Sequence, residues 1–189
     1  MKKQQNLDWE PAKDNAENVK LILEDCNLEG LMKKGRFLDL GCGDGKDLHE
    51  IQELYPEAQY FGIDFSSESS RSARQNNSQA YIIKGDFTSI PFKADMFEVI
   101  FSNNIFDYSD GRPHRSALFT PTFKVCGLGR EIYRVLKSGG IYVVHEEIES
   151  HETEQLKKIG LTQIYEEVFR VFQKFHPPSQ RTSRCSKPD

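Results

Sequence analysis

The chain offers little for crosslinking, membrane crossing or polyanion binding. Its four cysteines (Cys26, Cys42, Cys126 and Cys185) are scattered, with no C-x-x-C pair. That excludes zinc-finger spacing and a disulfide framework, and it points to a reduced, cytoplasmic setting. No metal site is expected. No apolar run approaches the ~20 residues needed to span a bilayer, so no membrane partner is expected. The opening MKKQQN has no apolar stretch behind it of the kind a secretory signal needs. Strong charge of one sign is also missing. The net charge is −4, which gives no footprint for wide nucleic-acid binding. The basic residues Arg112, Arg115, Arg181, Arg184 and Lys187 form runs too short to change that. Internal repeats are absent.

What is present suffices for one folded unit. A length of 189 residues with a hydrophobic fraction of 37% fits a single soluble domain with a full core. The expected organisation is a flexible segment over 1–13, one domain over 14–175 and a flexible tail over 176–189, marked by Pro177 and Pro178. Apolar residues at Val19, Ile22, Leu23 and Cys26 predict a helix over 14–28. Further helices are predicted over 46–55, 67–76, 130–136 and 152–159. Residues 107–125 read as a connection of unusual length, interrupted by Gly111, Pro113 and Pro121. Residues 162–175 are β-rich but carry no evident turn.

The most informative stretch is FLDLGCGDG at residues 37–45. Hydrophobic residues lead to an acid, and the acid leads to glycines at 41, 43 and 45. This reads as a buried strand, a tight turn and a helix start, a turn that lets backbone approach a ligand closely. The dinucleotide pattern G-x-G-x-x-G fails in both registers, because Lys46 or Leu48 falls where the third glycine belongs. A P-loop pattern is absent as well. Asp39, Asp44 and Asp47 flank the turn and would repel a pyrophosphate. A ligand with positive charge and no phosphate fits better, and S-adenosylmethionine is one. A second strand, YFGIDFS at 60–66, ends in Asp64. Its distance from the glycine turn suits an acid meeting a ribose diol. Strands at 81–87, 97–103 and 141–144 follow, with Asp86 near the end of the first of these.

On these residues the chain resembles the class I S-adenosylmethionine-dependent methyltransferases. The matching segments are FLDLGCGDG, YFGIDFS, KGDFTSIPF, FEVIFSNNIF and REIYRVLKSGGIYVV, in family order. The resemblance implies an α/β fold: a doubly wound, mostly parallel seven-stranded sheet with helices on both faces, a three-layer sandwich. The family closes its sheet with an antiparallel hairpin, and here that end is expected to be cut short. The implied cofactor is S-adenosyl-L-methionine, leaving S-adenosyl-L-homocysteine as product.

By resemblance, Asp39 stands near the methionine ammonium, and Gly41, Cys42, Gly43 and Gly45 form the cofactor loop. Asp64 clamps the ribose. Asp86 and the Phe87 N–H read the adenine edge, Phe65 lines the adenine or ribose face, and Asn103 lies near the methionine end. Each has a structural alternative: cap, turn or core residue. Asn103–Phe106 departs from the Asn-Pro-Pro-aromatic signature of nitrogen methyltransferases by lacking both prolines, so that chemistry is not carried over.

An in-line displacement at the sulfonium methyl needs alignment and water exclusion, and a base only if the acceptor must lose a proton. His145 and Asp107 are the candidate bases, with His114 and Glu146 behind them. Trp9 and Tyr108 are candidates for an aromatic wall over the acceptor. A small-molecule acceptor leads, because no added recognition domain is evident. A protein side chain is the alternative. A non-catalytic cofactor-binding or interaction module is the reading from another class, and an NAD-dependent oxidoreductase is the weakest.

Overall fold

The structure is a computed structural model that describes residues 15–103, 105, 121–145, 150–166 and 170–175. The described elements run α1 (Asn15–Asp25), β1 (Arg36–Leu40), α2 (Lys46–Leu54), β2 (Gln59–Asp64), α3 (Ser67–Asn76), β3 (Tyr81–Lys84), β4 (Phe97–Asn103), α4 (Pro121–Val135), β5 (Leu136–His145), α5 (Ser150–Ile159), β6 (Leu161–Glu166) and β7 (Arg170–Lys174). They build one seven-stranded sheet in the order β3-β2-β1-β4-β5-β7-β6. The first five strands pair in parallel, and β7 pairs antiparallel with both β5 and β6. The order reverses at β1, the point from which the chain winds first to one side and then to the other.

The strand sequences explain the layers. Alternate residues of a strand face opposite sides of the sheet. Leu38, Leu40, Ile100, Tyr142 and Val144 join one core with Leu128 and Ile132 of α4 and Leu156 of α5. Their neighbours Phe37, Val99, Phe101, Ile141 and Val143 join the other with Val19 and Leu23 of α1 and Leu48 and Ile51 of α2. Both faces are covered, so the central strands read as near-continuous apolar runs. Among the described residues no helix is long and apolar enough to cross a membrane.

Three expectations are corrected. First, the sheet is not cut short, because β6 and β7 form the full closing hairpin. Its link, residues 167–169, carries neither Gly nor Pro, so no turn signal was there to read. Second, residues 121–125 belong to α4 rather than to the preceding connection. Pro121 opens the helix, where a missing N–H costs nothing. Gly127 and Gly129 weaken the helical pattern. A Cβ at Gly129 would meet Ile159 and Leu156 of α5 at 2.6 and 3.1 Å, so close helix packing explains that glycine. Third, Leu136 starts β5 instead of ending a helix. It pairs with Phe97, and the next pair is Val99 with Ile141, so residues 137–140 bulge out of the ladder.

The amino edge of the sheet is closed by part-buried and buried polar contacts. The Lys174 ammonium donates to Asp95 Oδ1 at 2.7 Å and to the carbonyls of Tyr133 and Leu136 at 2.9 and 2.7 Å. Arg134 donates to the carbonyls of Phe92 and Ile90, each at 2.7 Å. Its pairing with Glu131 holds that carboxyl below the usual carboxylate range, the Arg134 hydrogen bond being the largest cause.

Candidate active site

The parallel strands β1 to β5 all end at the opposite, carboxyl edge. There the chain places residues 41–45, Asp64, Asp86, Asn103 and His145. Gly41, Gly43 and Gly45 take φ values of +79°, +52° and +83°, a left-handed region that favours glycine. The turn is tied to β2 by Gly41 N–H and Cys42 N–H, which donate to the Ile63 carbonyl at 2.8 and 3.2 Å. A Cβ at Gly41 would meet Ile105 at 2.7 Å and the Phe87 ring at 3.8 Å. At Gly43 a Cβ would meet nothing within 4 Å among the described residues, which leave the space above it open.

Asp64 joins two loops. Its Oδ2 accepts from Gly43 N–H at 3.1 Å, and its Oδ1 accepts from Ser66 N–H at 2.8 Å. A carboxylate has about four acceptor positions, so both oxygens keep capacity for hydroxyl donors. Phe65, beside it, is 62% exposed and does not join the core. Asp86 is exposed, and its Oδ1 accepts from Thr88 N–H and Oγ1, both at 2.8 Å. It therefore caps a turn, and neither bond uses Oδ2. Phe87 is partly buried and packs beside the glycine turn. The Cys42 side chain sits in the core with Phe37 and Leu48, away from the open side of the turn. Burial pushes the Cys42 thiol up, with Asp39 and Asp64 adding to the effect.

Asp39 is buried at 3% exposure. Its carboxyl is held well above the usual range by burial first, and then by the charges of Asp47 and Asp64. Asp47, on the first turn of α2, joins the site, although the sequence marks it only as an acid flanking the glycine turn. It accepts from Asn103 Nδ2 at 3.2 Å. Its signal in sequence was an acid two residues past the last glycine, where a helix N-terminus favours negative charge. Asn103 and His145 are register partners at the ends of β4 and β5. Burial lowers the His145 pKa, and Asp47 opposes that shift. Burial thus favours the neutral imidazole. The edge therefore gathers Asp39, Asp47, Asp64, Asn103 and His145. Asp107, His114, Glu146, Trp9 and Tyr108 lie outside the described residues. Among the described residues no group of three His, Cys, Asp or Glu could hold a metal ion.

Comparison with known proteins places this geometry in context. A family model described as a methyltransferase domain matches residues 31–176. A malonyl-[acyl-carrier protein] O-methyltransferase of Legionella pneumophila is 34% identical over 77 residues, 39% of this chain and 27% of that protein. A release factor glutamine methyltransferase of Caulobacter vibrioides is 32% identical over 127 residues, 57% of this chain and 44% of that protein. The chain thus spans less than half the length of either relative. Among solved structures, a TehB-like SAM-dependent methyltransferase from Corynebacterium glutamicum superposes with a TM-score of 0.58 at 17% identity, covering 85% of this chain and 98% of that one. That likeness speaks for the fold.

Proposed function

The chain belongs to the methyltransferase domain family, whose model matches residues 31–176, and on that premise we propose that it binds S-adenosyl-L-methionine at the carboxyl edge of its sheet and transfers the methyl group, first of all to a small molecule. The observation that carries this is the glycine turn, with its left-handed backbone and the space that the described residues leave open over Gly43. The acids around it agree. They suit a sulfonium and an ammonium, and they would oppose a pyrophosphate.

In this reading Asp39 holds the ammonium end, Asp64 the ribose diol, and Asp86 with the Phe87 N–H the adenine edge. Phe65, exposed beside Asp64, offers a face to the nucleoside. Asn103 orients the amino-acid end. Bound there, the cofactor supplies an already activated methyl group on a positive sulfur. The protein's part is to align the acceptor and exclude water. Burial favours the neutral form of the His145 imidazole, the form that accepts a proton from an acceptor O–H or N–H. Asp107 stays the second candidate base, on sequence alone.

The small-molecule reading is supported by the Legionella relative, whose name gives a malonyl group as acceptor. A protein side chain is the second reading, favoured by the longer match to the release factor glutamine enzyme. The net charge of −4 argues against a nucleic-acid acceptor. A reducing, cytoplasmic setting is supported by the free thiols of Cys26 and Cys42.

The test is calorimetric titration with S-adenosylmethionine, S-adenosylhomocysteine and NAD in parallel, followed by turnover on small-molecule and peptide acceptors. The expected result is micromolar binding of both sulfur nucleosides and none of NAD. A folded protein that binds neither sulfur nucleoside sinks the reading. Binding without turnover on any acceptor would favour a non-catalytic module.

A further inference from the structure

Helix α3 grips the glycine turn from its far end as well as Asp64 from its near end. At the near end Ser66 caps the helix and donates its N–H to Asp64 Oδ1, while Ser70 Oγ donates to the Asp64 carbonyl at 3.3 Å. At the far end stand two consecutive asparagines. Asn76 Nδ2 donates to the Asp44 carbonyl at 2.9 Å. Asn77 Nδ2 donates to the Gly45 carbonyl at 3.0 Å and to the Ala73 carbonyl at 3.1 Å. Asn77 is 2% exposed, and its amide fills the space that a Cβ on Gly45 would need.

The carbonyl of a trans peptide points away from the N–H that follows it. Fixing the Asp44 and Gly45 carbonyls therefore fixes the next two N–H groups. Gly45 N–H donates to the Cys42 carbonyl at 2.7 Å, and Lys46 N–H to Asp44 Oδ1 at 3.2 Å. On the other side of the turn Gly43 N–H is fixed by Asp64. The backbone around the open space over Gly43 is thus held from both sides by α3 and its cap.

We propose that Asn76 and Asn77 are positioning residues for the cofactor, holding the two peptide planes that close the glycine turn so that it has its binding shape before the ligand arrives. The inference rests on the cofactor reading above. Neither asparagine touches the ligand in this role. A turn that must first be ordered by its ligand loses affinity to the ordering. For the exposed Asn76, that loss comes with little loss of stability.

The test measures calorimetric affinity for S-adenosylmethionine and S-adenosylhomocysteine, and Tm without ligand, on the full chain and on Asn76→Ala, Asn76→Gln, Asn77→Ser and Lys174→Met. Asn76→Ala and Asn77→Ser should bind both nucleosides about three- to tenfold more weakly, the worth of one hydrogen bond. Asn76→Ala should keep its Tm within about 2 °C. Asn76→Gln retains an amide donor and should recover affinity. Lys174→Met, at the opposite edge, should melt earlier and bind within about twofold of the parent. Asparagine variants within about twofold of the parent overturn the inference alone. So does Lys174→Met binding as weakly as they do, since affinity would then only follow stability. If Asn77→Ser does not fold, the contrast between Asn76→Ala and Asn76→Gln decides. A parent chain that binds neither nucleoside overturns the functional reading itself, and this inference with it.

Discussion

Single carboxylates carry most of the chemistry at the candidate site, and they pull in different directions. Asp64 is tied to two backbone N–H groups, so Asp64→Ala would remove the proposed ribose partner and loosen the turn together. Cofactor affinity should fall by about 1.5–3 kcal/mol in calorimetry, and an unchanged affinity in a folded variant removes Asp64 from the site. Asp39 behaves oppositely toward stability. Burial and the nearby charges of Asp47 and Asp64 raise its folded pKa. A raised pKa gives stability that is whole below the unfolded value, about 3.9, and is lost as pH rises through the folded value. Asparagine cannot ionise. Asp39→Asn should therefore raise the Tm of the ligand-free protein, by more at about pH 7 than at about pH 4, while weakening cofactor binding. Equal Tm gains at both pH values would count against this account. Asp39 and Asp64 were legible because each ends a hydrophobic run beside the turn. Asp47 reads in sequence only as an acid flanking the turn, because Asn103 reaches it across 56 positions of sequence.

At the scale of elements, local pattern was a good guide where one face of a helix was apolar and its ends were marked. α1, α2 and α3 lie within the spans expected for them. The pattern misled where packing outweighed propensity. Gly129 stands mid-helix because α5 leaves no room for a side chain there. The closing hairpin forms without turn residues, because β7 pairs with β5 through apolar Val171 and Phe172. Lys174 at the end of β7 holds the turn before β4, the start of β5 and the end of α4 together through one buried ammonium. Lys174→Met leaves the buried Leu136 carbonyl and the part-buried Tyr133 carbonyl without this donor and should cost on the order of 3 kcal/mol. A thermal melt should read this as a drop of roughly 6–12 °C. A drop under about 2 °C would mean that water or relaxation replaces the lysine.

For the whole molecule, every described strand lies in one sheet and every described helix packs on it or on a neighbouring helix. On that ground we expect residues 14–175 to be one folding unit. A chain cut to that span should unfold in a single transition and bind the sulfur nucleosides as the full chain does. Two separate transitions, or lost binding, would contradict it. Sequence alone determined that there would be a glycine turn between a buried strand and a helix, that the edge bearing it would be acidic, and that the strands would need cover on both faces. These follow from residue type and short spacing, which act locally. Only the tertiary structure decided that Asn76 and Asn77 would grip that turn, that Asp47 would meet Asn103, and that the last two strands would complete the sheet. Those contacts join residues far apart in the chain, and they exist only once burial of the two cores has brought the elements together.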